Sequence, residues 1–397
     1  MARVPRSFPF VDPFLLWLIG AVAAASLLPA RGAAAVGVDA LADIAIALLF
    51  FLHGARLSRA AIVQGIGNFR LHALTLGSTY VLFPAIGLAL VAVLARAVPG
   101  WIDPLLLSGL LYLTLLPSTV QSSIAFTAMA RGNVAAAVCS ASLSNVVGIV
   151  LTPLLVALFL NIGGGGGGGG GGASTGRAVG AIGLQLLLPF LAGHALRPVI
   201  GGVIDRNKRI LMPVDRGSIL LVVYSAFSAA VVGGIWSRVG AADLVVLLVL
   251  CVIVLGVVMA VNVAVARLAG LPRADAIALL FCGSKKSLVS GVPMAGALFP
   301  SAQVGLILLP LMIFHQLQLF VCAALAARFA RSHEASADPA VPRTPDAIAA
   351  AADARGLSIP AACMPGVVAN LAILDHHAAT LRAPPPPPPP PPLGAAA

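Results

Sequence analysis

The sequence predicts an all-α polytopic membrane protein of about ten transmembrane helices, at roughly 20 residues each, arranged as two inverted five-helix repeats. Three observations carry this. Hydrophobic residues make up 60% and charged residues 9% of the 397, with a mean hydropathy of +1.04, whereas about a quarter of a soluble chain is charged. The apolar residues fall into runs of bilayer-spanning length at 14–30, 38–54, 71–95, 104–130, 134–160, 178–196, 217–236, 243–266, 276–298 and 302–327. Lys and Arg crowd the loops on one side of that ladder, as they do at a cytoplasmic face.

The first run follows Arg3 and Arg6. It reads as a retained span rather than a cleaved signal peptide, because it is long and the next run follows almost at once. On the side of the N-terminus lie Arg3, Arg6, Arg56, Arg59, Arg70, Arg131, Arg197, Arg206, Lys208, Arg209, Arg216, Arg267, Arg273, Arg328 and Arg331, and on the other side only Arg31, Arg96, Arg177 and Arg238. Both termini are therefore expected in the cytoplasm, in a plasma (cell inner) membrane. The net charge of +11 is thus topology, and with aromatics at 6% and no basic and aromatic interleaving, nucleic acid is not an expected partner.

Ten spans divide into two sets of five, 1–160 and 178–330, joined by a Gly-rich linker at 161–177. An odd number of spans per half inverts the second half, the plan of many secondary transporters. The glycine tract 163–172 is flexible coil, and no P-loop lysine accompanies it. Residues 331–397, rich in Ala and Pro and ending in the polyproline run 384–392, read as a disordered cytoplasmic tail of unknown protein partner.

The fourth and ninth runs are the most interrupted, and they are equivalent in the two halves. One carries Pro117-Ser118-Thr119-Val120-Gln121-Ser122-Ser123 and the other Gly283-Ser284-Lys285-Lys286-Ser287 with Gly291-Val292-Pro293. Matched interruptions are the best sequence pointer to a substrate site at mid-membrane. The chain has only three lysines, and Lys285 and Lys286 lie within the ninth run. An intramembrane lysine is costly and faces a polar cavity or a partner. A crossover site of Ser118, Thr119, Gln121, Ser122, Ser123, Ser284, Lys285, Lys286 and Ser287 is therefore expected, taking a small anion.

Asp43, in the second run, either pairs with a lysine or faces exterior water. His315 and Gln316, after Pro310 in the tenth run, form either a polar relay or a structural hydrogen bond. The five cysteines are dispersed, at neither disulfide nor zinc spacing, and no GxSxG, HExxH or paired intramembrane aspartates occur. An enzyme is not expected, nor any cofactor or metal site beyond a coupling sodium ion or proton.

Taken together, Phe50-Phe51-Leu52-His53-Gly54 with Leu57, the Pro117 and Gly283 motifs, Ala130-Arg131-Gly132-Asn133, and Pro310 with His315-Gln316 and Gln318 resemble the bile acid:sodium symporter (SBF-like) family. The likeness is strongest to its divergent bacterial-type branch, which includes the seventh vertebrate member, and covers about residues 10–330. It implies a panel domain (spans 1, 2, 6 and 7) and a core domain whose broken fourth and ninth helices cross. The family's sodium-binding positions fall here on Phe281, Lys285, Ser123, Ala137 and Ala141. An ammonium about 4 Å away repels Na⁺ by roughly 4 kcal/mol at an effective dielectric of 20. Transport is then uncoupled, proton-coupled through a lysine, or coupled elsewhere. The reading is a symporter-like secondary transporter of a small organic anion by alternating access. The alternative is a non-transporting regulatory membrane protein that affects ion homeostasis through contacts of 197–216 and the tail.

Overall fold

Apolar side chains on every face of a helix require apolar surroundings on every face. Helix α11 (Ala241–Leu268) meets that description: Leu247, Val254 and Val258 are buried, while Val245, Leu248, Val249, Val252 and Ile253 point outward. In this computed structural model residues 13–56, 68–160, 172–336, 344–353 and 357–382 are described, and among them every regular element is helical. Seven stretches are long and apolar enough to cross a membrane: Ala33–Arg56, Phe69–Ala97, Val134–Leu160, Leu186–Ile204, Leu211–Val232, Ala241–Leu268 and Ser301–Arg331. The protein is a multi-pass membrane protein.

The remaining expected spans are shorter or broken. Helix α1 (Pro13–Leu27) is followed by α2 (Ala33–Arg56). The third run is α3 (Phe69–Gly77), a π turn (Ser78–Leu82) and α4 (Phe83–Ala97). The fourth is split into α5 (Pro104–Leu115) and α6 (Gln121–Met129). After α7 (Val134–Leu160) come α8 (Gly172–Arg206), α9 (Lys208–Val232), the single turn α10 (Ile235–Arg238) and α11. The ninth run is split into α12 (Arg273–Gly283) and α13 (Leu288–Leu298), and α14 (Ser301–Ser336) follows. Local chemistry sets these ends. Asp103 caps α5 by accepting from the Leu105 amide at 2.8 Å with Pro104 next to it, and Ser287 caps α13 by accepting from the Ser290 amide at 3.1 Å.

One expectation is corrected here. Residues 197–216 read as a cytoplasmic loop, but α8 continues to Arg206 and α9 starts at Lys208. Arg197 is a helix residue that donates to the Ala55 carbonyl at 2.8 Å, and only Asn207 separates the two helices.

Helices α1, α2, α8 and α9 pack on one another, α2 on α8 most extensively. That crossing is backbone on backbone. A Cβ at Gly54 would sit 1.9 Å from the Phe190 carbonyl oxygen, and one at Gly193 would sit 2.0 Å from that of Phe51. A second set packs around the two broken runs, with α12 touching α3, α6, α7 and α11. Asp275 ties three helix starts there, accepting from Asn133 at 2.7 Å and Asn68 at 2.9 Å.

The chain divides into two compact units, Met1–Phe329 and Ala330–Ala397. Within the second, α15 (Pro345–Asp353) and α16 (Met364–Arg382) pack together, where a tail without structure was expected. Alanine is the strongest helix former, and Thr344 with Pro345 gives α15 a start, the Thr344 hydroxyl accepting from the Ala347 amide at 3.3 Å. Arg3, Arg6, Arg59, the glycines 163–171 and the polyproline run 384–392 lie outside the described residues.

Candidate functional site

Two broken helices leave backbone groups without helical partners, and the site follows from where those groups find others. Helix α12 ends on three carbonyls, and each takes a hydroxyl. Ser123 donates to Phe281 O at 3.0 Å, Ser118 to Cys282 O at 2.5 Å and Ser78 to Gly283 O at 2.9 Å. In the other break Pro117 O accepts the Ser287 amide at 2.9 Å, and Ser118 O accepts the Asn145 side-chain amide at 2.7 Å. The breaks at 116–120 and 284–287 therefore face and stitch each other.

Lys286 completes the stitching. Its side chain is wholly buried, and Nζ donates to Thr79 O at 2.9 Å, Thr114 O at 2.8 Å and Leu116 O at 2.7 Å, with the Phe83 ring centroid 4.1 Å away. All three ammonium protons are used. The carbonyls are available for local reasons. In the π turn the Phe83 amide bonds to Ser78 O, and the next residue, Pro84, has no N–H to offer Thr79 O. Thr114 O loses its helical donor because the Ser118 amide turns to Ser144 Oγ at 3.1 Å. The peptide of Lys286 is held as a strand partner would hold it: its amide donates to Gln318 Oε1 at 2.8 Å, and Gln318 Nε2 donates to its carbonyl at 2.9 Å.

Lys285 is also wholly buried. It donates to Ser122 Oγ at 3.1 Å and lies over the Phe126 ring at 4.5 Å. From it a chain of hydroxyls runs in one direction. Ser123 spends its proton on the Phe281 carbonyl, so in its 3.0 Å contact with Thr119 it accepts. Thr119 then accepts from Ser122 at 2.8 Å, and Ser122 accepts from Lys285. A second chain ends likewise: Ser287 donates to Ser290 at 3.1 Å, and Ser290 to Asn145 Oδ1 at 2.8 Å. Both Asn145 amide protons go to carbonyls, those of Ser118 and Ala141.

Two cavities adjoin these chains and share His53, Arg56, Val120, Asn145, Val289 and Ser290. One, of about 220 Å³, is mainly apolar, with Leu49, Phe50, Ile149, Phe190 and Met294 in its wall. The other, of about 180 Å³, has Thr119, Gln121, Ser122 and Ser287 on one side and Arg56, Asp215 and Arg216 on the other. Arg56 Nη1 pairs with Asp215 Oδ2 at 2.5 Å, and the Arg216 guanidinium stands 5.5 Å from the Phe14 ring.

Of the expected site residues, then, Thr119, Gln121, Ser122, Ser287 and His315 border a cavity. Ser118, Ser123, Ser284, Lys285 and Lys286 are buried behind it; Ser284 accepts from Asn262 at 2.8 Å. His315 Nδ1 accepts from Gln318 Nε2 at 3.0 Å. Gln316 makes none of these bonds; its Oε1 is buried without a hydrogen-bond partner among the described residues, and Gln318 is the amide that secures the break. Asp43 is exposed and lines a shallow pocket with Asp39 and Ser225, on a wall that holds neither lysine. Sequence reasoning missed Arg56, Asp215 and Arg216 as site residues. Their only sequence signal was charge at the ends of apolar runs, which the topology count had absorbed.

Residues 12–331 match the SBF-like CPA transporter family. The chain belongs to that family. Among relatives of this SBF-like chain, the putative symporter YfeH of Escherichia coli (strain K12) is 52% identical over 329 residues, 83% of this chain and 96% of the relative. The uncharacterized protein PA2026 of Pseudomonas aeruginosa is 50% identical over 336 residues, 84% and 96% of the two chains. Sodium/bile acid cotransporter 7 of Mus musculus is 26% identical over 323 residues, 79% and 90%. These names agree with the transport reading of the SBF-like fold. They do not extend to a sodium site at the positions carried over from the wider family. Phe281, Ala137 and Ala141 present no side-chain oxygen, Lys285 presents a cation, and Ser123, the one hydroxyl of the five, donates to the Phe281 carbonyl. Those residues do not fit Na⁺.

Proposed function

We propose that this protein is a secondary transporter of a small organic anion, working by alternating access in the cell inner (plasma) membrane with both termini cytoplasmic. The observation that carries the proposal is the polar cavity between the two packing sets. Arg56 and Arg216 against Asp215 leave its wall on α2 and α9 with a positive excess, while Thr119, Ser122 and Ser287 line the wall formed by the breaks. Those three hydroxyls have committed their protons to the protein. They offer lone pairs to a solute, so the favoured solute is anionic at the arginine end and donates hydrogen bonds at the other.

In this reading the ten spans form two inverted five-helix repeats, 1–160 and 178–330, with 161–177 as the tether. The set α1, α2, α8 and α9 is the panel domain, and the rest of the first unit is the core domain that rocks against it. Sodium has no part in the cycle, because fixed ammonium groups supply the positive charge at the breaks. The test is uptake of a panel of organic anions into proteoliposomes, with external Na⁺ or choline. Uptake that is equal in both, and lowered at least tenfold in KM terms by Arg56→Gln or Arg216→Gln, supports the proposal. Strict Na⁺ dependence refutes the sodium-free cycle, and an absence of uptake across the panel favours the regulatory alternative.

A further inference from the structure

The cavity of about 250 Å³ at the far end of α11 has no place in that cycle. Its wall is Val263, Ala266, Arg267, Leu271, Arg273, Ala276, Ile277, Leu280 and Phe329: seven apolar residues and two arginines, with no acid. Both arginines are exposed. Among the described residues Arg273 Nη2 donates to the Phe329 carbonyl, at 3.2 Å, and the nearby carboxylate of Asp275 is already taken by Asn68 and Asn133. Arg267 is the penultimate residue of the membrane-spanning helix Ala241–Leu268, and Arg273 opens α12 after the short connection through Gly270. Two guanidinium groups therefore stand where a spanning helix ends, over an apolar groove that runs back along α11 and α12.

We infer that this groove binds an anionic phospholipid, its phosphodiester between Arg267 and Arg273 and an acyl chain along Val263, Ile277 and Leu280. Charge and polarity match at both ends. Basic pockets between helices at the membrane surface recognise lipid headgroups, and the hydrocarbon at this depth is supplied by the bilayer itself. Guanidinium groups suit the phosphate through paired N–H donors. Inorganic phosphate would meet the arginine end of this cavity and leave its apolar part unfilled, so the chain and headgroup bind as one molecule.

Because both arginines are exposed, their replacement leaves the packed interior intact. The test compares purified wild type with the R267Q/R273Q double variant, measuring thermal unfolding in detergent with added phosphatidylglycerol, phosphatidylcholine or inorganic phosphate, and retention of each lipid by native mass spectrometry. The expected result is a rise in unfolding temperature and retained lipid with phosphatidylglycerol only, with apparent affinity at least tenfold weaker in the double variant. Equal response to both lipids, an equal response of the double variant, or a response to phosphate alone overturns the inference. So does no response to any addition, the result expected when another apolar segment fills the groove.

Discussion

Replacing Lys286 by Met tests the account of the broken helices most directly. The thioether chain is close in length and fills much of the same volume, so the main change is loss of three donors to Thr79 O, Thr114 O and Leu116 O. Hydrogen bonds from a charged group contribute about 1.5–3 kcal/mol each, and the contact with Phe83 adds about 1–2 kcal/mol when desolvated. Against this, burying an ammonium costs several kcal/mol that the variant no longer bears. The balance predicts a destabilisation on the order of 3 kcal/mol. Thermal unfolding of the purified protein should therefore move down by several degrees. A sharper version uses Lys286→Ala, which leaves space for the missing side-chain atoms. n-Propylammonium, with three N–H donors, should restore part of the lost stability, whereas tetramethylammonium, with the same charge and no donor, should not. An unchanged unfolding temperature for Lys286→Met, or equal rescue by both cations, refutes the view that hydrogen bonding to freed carbonyls holds this lysine.

Further expectations follow from single contacts. Gly54→Ala and Gly193→Ala each place a methyl within about 2 Å of a carbonyl oxygen and must push α2 from α8, so folded yield in membranes should fall sharply; Gly20→Ala, with nothing within 4 Å, should leave it unchanged. Asn145→Leu removes the donors to Ser118 O and Ala141 O and the acceptor for Ser290, which should cost about 2–4 kcal/mol in denaturant unfolding and lower uptake. Asp275→Leu strands the amides of Asn68 and Asn133 and should cost about 2 kcal/mol while leaving KM unchanged, because Asp275 stands away from both cavities. Ser122→Ala takes from Lys285 its hydroxyl acceptor and should raise KM more than it lowers the unfolding temperature.

The positions of the breaks were legible because they rest on local chemistry. Pro117 and the Ser284-Lys285-Lys286-Ser287 segment cannot continue an apolar helix cheaply, and helices do stop at both. The roles of the residues around them were less legible. Lys285 and Lys286 read alike in sequence, yet one closes a set of carbonyls and the other leads a chain of hydroxyls. Gln318 and Gln316 differ by half a helical turn, and only the first reaches the break. Neither distinction has a sequence signal, since each depends on which neighbouring helix a side chain meets.

By itself the sequence determined that the solvent is lipid, that two apolar runs break, and that two cations lie inside the second break. Those conclusions follow from composition, from run length and from residues such as proline that act on their own neighbours. Only the tertiary structure decided that both lysines are enclosed and that the cations bordering the cavity are Arg56 and Arg216. The reason is sequence separation. The Arg56 and Asp215 pairing spans 159 residues and that of Lys286 with Thr79 spans 207, and such contacts are fixed by how helices pack, which no local pattern encodes.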